Sequence, residues 1–227
     1  IQYSFFPKNS RIANHGPAVK TDLFLEPSSM NLTDREIQLM YKVEWLNKSI
    51  FQFDVTDNFL ELQFPFDPTH LNGVLFETGE SFKWTESGVS YSSDLRKPFY
   101  YMLSTRYGGY FNGNKSTIVS EVLFKIQPYT SLAVVGSYNN IKLPDPYTSA
   151  EFFLIGPRLD ITFTNKIFFT GLVQYNNQID NLNINLRFQW RFAPVSDLFI
   201  VYTENAYPIG LQTKNRGIVV KLSYWIN

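Results

Sequence analysis

The stretch NLNINLRFQWRF, Asn181 to Phe192, puts Leu182, Ile184, Leu186, Phe188, Trp190 and Phe192 at every even position. Asn183, Asn185, Arg187, Gln189 and Arg191 fill the odd positions between them. Successive side chains of an extended chain point to opposite faces, so a period of two sorts apolar residues from amides and guanidinium groups. A helix turns about 100° per residue and would scatter the same six apolar side chains around its circumference. The segment therefore predicts a strand with one dry and one wet face. Its length narrows the setting. Strands of ordinary sheets run about 5–6 residues, whereas a tilted strand crossing a bilayer needs about 9–11.

The same alternation recurs along the chain. Ile37, Leu39, Tyr41, Val43 and Trp45 interleave with Glu36, Gln38, Lys42 and Glu44, and Phe51, Phe53 and Val55 with Gln52, Asp54 and Thr56. Ile118, Val122, Phe124 and Ile126 oppose Glu121, Lys125 and Gln127; Leu159, Ile161 and Phe163 oppose Arg158, Asp160 and Thr162. At the end, Ile218, Val220, Leu222, Tyr224 and Ile226 oppose Lys221, Ser223 and Asn227. The segment DLFIVYT, Asp197 to Thr203, is apolar on both faces. Strand starts are expected near residues 1, 17, 35, 49, 80, 98, 115, 130, 150, 166, 181, 196 and 215, about thirteen strands within a range of 12–14.

Short connections (LNKS at Leu46, QPYTS at Gln127, TNK at Thr164, APVSD at Ala193) roughly alternate with longer ones (EPSSMNLTD, FPFDPTHLNGVLFETGE, NNIKLPDPYTSA, NAYPIGLQTKN). Tight turns on one side and longer loops on the other are the asymmetry of an outer-membrane barrel. Pro194 breaks ladder pairing, and Ser196 or Asp197 can close a turn through its side chain, so APVSD reads as a tight turn. Taken backwards from the C-terminus with the long loops outside, an odd count starts the first strand on the external side. The expectation is one β unit over residues 1–227, incomplete at its N-terminus, because single-chain bacterial barrels have even strand numbers.

Composition agrees with that class and excludes others. The 227 residues carry 20 Lys+Arg against 20 Asp+Glu, so no basic field for nucleic acid exists. Aromatics make up 17%, with 21 Phe and 14 Tyr, which favours sheet and interfaces. The absence of cysteine rules out disulfides and thiolate metal sites. No run approaches the ~18 apolar residues of a helical span. Mean hydropathy is −0.17, a value compatible with a membrane barrel because its alternating strands average to neutral. The chain starts at Ile1 without a charged-then-apolar leader, which reads as a removed signal or as a piece of a longer chain.

A soluble sandwich or lipocalin-like cup also alternates, with its apolar rows packed into a shared core. Long strands favour lipid instead, as do aromatics at apolar-face strand ends: Tyr41, Trp45, Tyr138, Tyr175, Trp190, Phe192 and Tyr224. Arg187 or Arg191 on the lipid face near midplane would cost about 2–4 kcal/mol; the observed phase puts both on the other face. The expected fold is thus an all-β, transmembrane antiparallel up-and-down β-barrel. Its lipid-facing row is Leu182, Ile184, Leu186, Phe188, Trp190 and Phe192. Its lumen-facing polar ladder is Asn183, Asn185, Arg187, Gln189, Arg191, Glu121, Lys125, Arg158 and Asp160, with the β-ladder amides and guanidinium groups expected to reach Glu204 or Asp160 across strands.

In its last third the sequence resembles a known family. The carriers are Gln174-Tyr175-Asn176, Asn185-x-Arg187-x-x-Trp190, Pro194-x-Ser196-Asp197-Leu198-Phe199, Val201-Tyr202, and Asn215-Arg216 before the final strand. Weaker ones are FKW at Phe82 and IKLP at Ile141. They are similar to the uncharacterised Gram-negative outer-membrane barrel found downstream of a family-nine-like carbohydrate-binding module. The similarity is strong over about residues 160–227 and weaker over 80–227. It implies an outer-membrane location, a long chain and an N-terminal β-rich module. Sugar binding does not carry over, because that module is not in these residues. Leu222, Tyr224 and Ile226 resemble the C-terminal signal read by the barrel insertion machinery, with Asn227 in place of the usual terminal Phe.

Catalytic chemistry has few candidates. His15 in ANHGPA and His70 in DPTHLNG are both expected in exposed connections, without the spacing that brings two ligands together. The acids of DVTDNFLE lack the glycine and terminal Glu of a calcium loop and read as a solvated rim. YGGY, Tyr107 to Tyr110, marks a strand end where backbone bends or nears a neighbour. Neither an enzyme nor any cofactor or metal is expected. The expected surroundings are a lipid bilayer with lipopolysaccharide, the insertion machinery and other outer-membrane subunits. The expected role is a solute channel or transporter, and the alternative is a structural subunit of a larger envelope complex.

Overall fold

A computed structural model describes residues 1–8 and 10–226. Its strands are β1 (Ile12–Leu25), β2 (Leu32–Trp45), β3 (Ile50–Glu61), β4 (Ser81–Ser92), β5 (Phe99–Tyr110) and β6 (Gly113–Ile126), followed by β7 (Thr130–Lys142), β8 (Ala150–Thr162), β9 (Ile167–Asn176), β10 (Asn181–Ala193), β11 (Ser196–Ala206) and β12 (Thr213–Ser223). They form one twelve-stranded sheet in sequence order, β1 to β12, with each resolved ladder antiparallel. No helix occurs among the described residues. The strands run 10–14 residues, about twice the usual length. No ladder among the described residues joins β12 to β1.

Three expectations change. The segment near residue 1 is no full strand: Gln2 bridges Ala18 and Phe5 bridges His15, both antiparallel, so residues 1–5 lie along the free edge of β1. β1 starts at Ile12 rather than near residue 17, so His15 and Pro17 belong to a strand and not to a connection. Pro17 is tolerated because it donates no ladder bond; its carbonyl accepts from Tyr3 N–H at 3.0 Å. Third, short and long connections alternate less cleanly than expected. The β4–β5 link, residues 93–98, is long for the short-turn side, and Phe111-Asn112 closes a tight turn on the long-loop side. β1 enters, and β12 leaves, at the short-turn side, in place of an external start.

The last strand is also shorter than the alternation suggests. β12 ends at Ser223, so Tyr224 and Ile226 lie beyond it, and Asn227 lies outside the described residues. Tyr224 packs its ring parallel to Phe192 at 6.3 Å, and Trp225 N–H donates to Ser196 Oγ at 3.1 Å.

The chain divides into two compact units. The first holds residues 1–94, 102–119 and 138–151; the second holds 95–101, 120–137 and 152–227. In the first, buried hydrophobics concentrate at the long-loop ends of the strands: Leu62, Phe76, Phe111, Ile141, Leu143 and Ala150. In the second, Ala206 is the buried hydrophobic among the described residues. Among the described residues neither unit has a layer laid over its apolar strand face. Leu39 is 54% exposed, Leu103 48% and Phe124 46%.

Candidate functional site

The wet face of the second unit is built by the β9–β12 registers. Asn183 lies between Gln174 and Asn205, Asn185 between Leu172 and Thr203, Arg187 between Thr170 and Val201, and Gln189 between Phe168 and Phe199. The even-numbered residues Leu182, Ile184, Leu186, Phe188 and Trp190 face Tyr175, Val173, Gly171, Phe169 and Ile167 on the other side. Asn183 Nδ2 donates to Asn205 Oδ1 at 2.9 Å, Asn185 Nδ2 to Thr203 Oγ1 at 2.8 Å, and Gln189 Nε2 to Asp197 Oδ1 at 2.9 Å. Arg191 pairs with Asp197 at 3.4 Å. Arg158 pairs with Asp160 at 3.0 Å, and Thr170 Oγ1 donates to Asp160 at 2.8 Å. On β6, Lys125 Nζ donates to the Leu95 carbonyl at 2.5 Å; Glu121 shares its face by alternation.

The Glu204 carboxylate is not a partner of this ladder; only its backbone carbonyl accepts from Asn183 Nδ2, at 3.5 Å. The β10–β11 register pairs even-numbered residues with even-numbered ones, so Glu204 falls opposite Ile184 on the apolar side. There it accepts from the Tyr202 hydroxyl and, at 2.7 Å, from the Thr213 hydroxyl. The tight turn at Pro194-Val195 sets that register: Ser196, 1% exposed, closes it by donating to the Pro194 carbonyl. Two apolar residues of the wet face also find a role. The Arg187 guanidinium lies 5.0 Å from the Phe199 ring centroid and that of Arg191 lies 5.9 Å from that of Phe168. Cation–π contact, worth about 0.5–1 kcal/mol at exposed sites, lets a guanidinium rest on an otherwise greasy patch. That accounts for Phe199 on the wet side of DLFIVYT.

The first unit carries a second polar network. Asp54, Gly88 and Arg106 are aligned across β3, β4 and β5, with Thr56 and Glu86 beside them. Arg106 Nη2 contacts Asp54 Oδ2 at 2.5 Å, and its Nη1 donates to Thr56 Oγ1 at 3.1 Å and to Glu86 Oε1 at 3.2 Å. A Cβ on Gly88 would stand 3.0 Å from Asp54 Oδ1 and 3.1 Å from Arg106 Nη2, so only glycine leaves room for this pair. Asp54 is buried at 4% exposure, which corrects the reading of DVTDNFLE as a solvated rim. Asp57 pairs with Arg35 at 2.6 Å, and its register partner is Ile37, so this ion pair stands on the face of the apolar row near the long-loop end.

Directly beyond that network lies a packed cap that alternation could not announce. Phe82 and Trp84 share the β4 face of Glu86 and Gly88. On them sit Phe111 of the β5–β6 turn and Phe76 of the 62–80 connection. Phe76 lies 4.7 Å from Phe82, 5.4 Å from Phe111 and 4.0 Å from Tyr147, and Phe111 stacks on Trp84 at 5.5 Å. The long connection folds back on itself through the Phe66–Phe76 bridge. Asp67 ties its far end. Its carboxylate accepts from Thr69 N–H (2.8 Å), Thr69 Oγ1 (2.6 Å), Leu71 N–H (3.1 Å) and Gly73 N–H (3.0 Å). Burial pushes the Asp67 carboxyl up, but these four donors outweigh it and hold it below the ordinary carboxylate range. YGGY ends β5 against this region: a Cβ on Gly108 would stand 2.3 Å from Glu86 Cα.

Among the described residues neither histidine is hydrogen-bonded through its ring to a carboxylate or an aliphatic hydroxyl. The His15 Nδ1 and the Tyr41 hydroxyl share a 2.6 Å hydrogen bond, and His70 packs edge-on against Phe66 at 5.3 Å. Among the described residues no group of three or more His, Cys, Asp or Glu could hold a metal ion.

These features define an all-β, antiparallel up-and-down sheet with one apolar and one hydrogen-bonded polar face. Comparison with protein-family models, with curated proteins and with solved structures returned no match.

Proposed function

We propose that this chain forms a transmembrane antiparallel β-barrel, or the C-terminal section of one, in a Gram-negative outer membrane, and that it conducts small solutes along its polar face. The observation that carries the reading is the bare apolar row. Leu39, Phe53, Leu103, Phe124, Ile218 and Leu222 are exposed although each belongs to a strand of ten residues or more. A soluble sandwich would bury such a row under a second sheet; lipid tails cover it here. The opposite face carries hydrogen-bonded amides, acids and guanidinium groups among a few apolar residues, a chemistry that suits a watered wall. Aromatics close to the short turns (Trp45 with Tyr91 at 6.4 Å, Trp190 with Phe192 at 5.7 Å) suit a headgroup girdle. The choice of the outer membrane in particular rests on the family resemblance of residues 160–227. The 62–80 cap, seated on the polar face of β4, narrows the passage at its long-loop mouth.

Purified chain reconstituted in a planar bilayer tests this. Stepwise conductance is expected. Silence in the bilayer, or a monodisperse folded chain in detergent-free buffer, overturns it. A structural-subunit reading has its own motive. Among the described residues β12 has one ladder, to β11, and Ile218, Val219 and Val220 are exposed on both of its faces. Such an edge offers unpaired backbone groups to another strand. Silence together with a stoichiometric co-purifying membrane protein would favour it.

A further inference from the structure

The ion-pair inventory of the second unit's polar face is uneven. Asp160 is taken by Arg158 and Thr170, and Asp197 by Arg191 and Gln189. Lys125 is satisfied by the Leu95 carbonyl. Of the cations on the strands of this face, Arg187 and Lys221 remain, and neither has an acidic partner among the described residues. Their placement is not scattered. Lys221 stands directly opposite Phe199 in the β11–β12 register, and the Arg187 guanidinium lies over the same Phe199 ring from the β10 side. Arg187 is also steered by Gln189 Oε1, to which its Nη2 donates at 3.2 Å. Two inter-strand steps separate β10 from β12, about 10 Å. Both side chains are long enough to converge on one anionic group above the ring.

We infer that Arg187, Phe199 and Lys221 form a subsite for a solute that carries a carboxylate or phosphate on an apolar body. The guanidinium presents a forked donor set suited to either anion, and the ammonium adds a second charge. Phe199 supplies an apolar floor between them, which favours an aromatic or aliphatic anion over a bare one. The subsite rests on the proposed reading that this face is watered, but it does not require a conducting pore.

Calorimetric titration of the detergent-solubilised full chain therefore tests it separately from conductance. The probes are benzoate, phenyl phosphate and inorganic phosphate. Saturable binding is expected for the first two, with inorganic phosphate weaker. Arg187→Gln and Lys221→Gln should each weaken it about tenfold, the loss of one charge-assisted hydrogen bond. Arg216→Gln, which removes a cation opposite Glu204 on the other face, should leave it unchanged. No binding of any probe, or equal binding by Arg187→Gln and the parent chain, overturns the subsite while leaving conduction to stand or fall on the bilayer experiment. Inorganic phosphate binding as tightly as phenyl phosphate removes Phe199 from the site and overturns the apolar-body specificity.

Discussion

Arginine at position 186 tests what covers the apolar row. Leu186 lies between Gly171 and Tyr202 in the sheet, and its Cδ2 would be 3.5 Å from a Cβ at position 171. Along the strand it is four residues from Leu182 and six from Phe192. At about 3.3 Å per residue and a tilt near 45°, those are vertical distances of about 9 and 14 Å. In the proposed bilayer setting Leu186 is thus close to the middle of an apolar band about 25 Å tall. Leu186→Arg there should cost about 2–4 kcal/mol, or about 30–700-fold in the folded-to-unfolded ratio. The matched change on the wet side is Asn183→Arg, flanked by Gln174 and Asn205. It forfeits the 2.9 Å bond to Asn205, about 1 kcal/mol or less. Urea titration in phospholipid vesicles, followed by tryptophan fluorescence, gives both numbers. Equal costs, or a larger cost for Asn183→Arg, would refute the assignment of faces to lipid and water. Cooperative unfolding of the parent chain in detergent-free buffer would refute the lipid itself.

Further outcomes follow from the two polar centres and the cap. Arg106→Ala leaves the buried Asp54 carboxylate without its cation and should destabilise the chain by about 3–5 kcal/mol, measured by the same urea titration, whereas Asp54→Asn with Arg106→Met should recover most of it. Phe76→Ala empties the centre of a ring cluster at 1% exposure. It should cost about 3–5 kcal/mol locally, seen as faster amide exchange confined to residues 62–80 and their packing partners. The Asp67 carboxyl is held below its ordinary value of 3.8 in the folded loop. Its contribution is therefore fully present above that value and is lost as pH falls through the lowered native one. Proteolytic cleavage of the 62–80 connection by an acid-active protease should rise on acidification in that range, and Asp67→Asn should abolish the dependence.

Local alternation made most of the strands legible, and it did so for a physical reason. Each strand needs only its own residues to show which side is apolar, so β10, β2 and the first half of β3 could be read without any neighbour. What local pattern cannot carry is register. Glu204 and Asn205 are adjacent, and the turn at Pro194-Val195 alone decides which of them meets Asn183. Pro17 illustrates a second limit. Proline ordinarily argues against a strand, but the polar backbone edge of Pro17 faces residues 1–5 and not β2, so its missing donor breaks no bond of the β1–β2 ladder.

The cap was illegible for the opposite reason. Phe66, Phe76, Phe82, Phe111 and Tyr147 come from four separate stretches and have no shared period. Phenylalanines in a loop read as surface until the fold brings them together. Together they bury Phe76 to 1% exposure, and the cluster's position bears on function. A loop held only by its ends would sample many conformations, whereas this one is fixed by stacked rings on one side and by four donors to Asp67 on the other. A rigid obstacle on a polar face sets a size limit; a mobile one sets a rate. If solutes pass along this face, the cap therefore acts as a fixed sieve. Replacing residues 64–79 by a short Gly-Ser turn should raise single-channel conductance without introducing flicker. Unchanged conductance would show that the passage runs elsewhere.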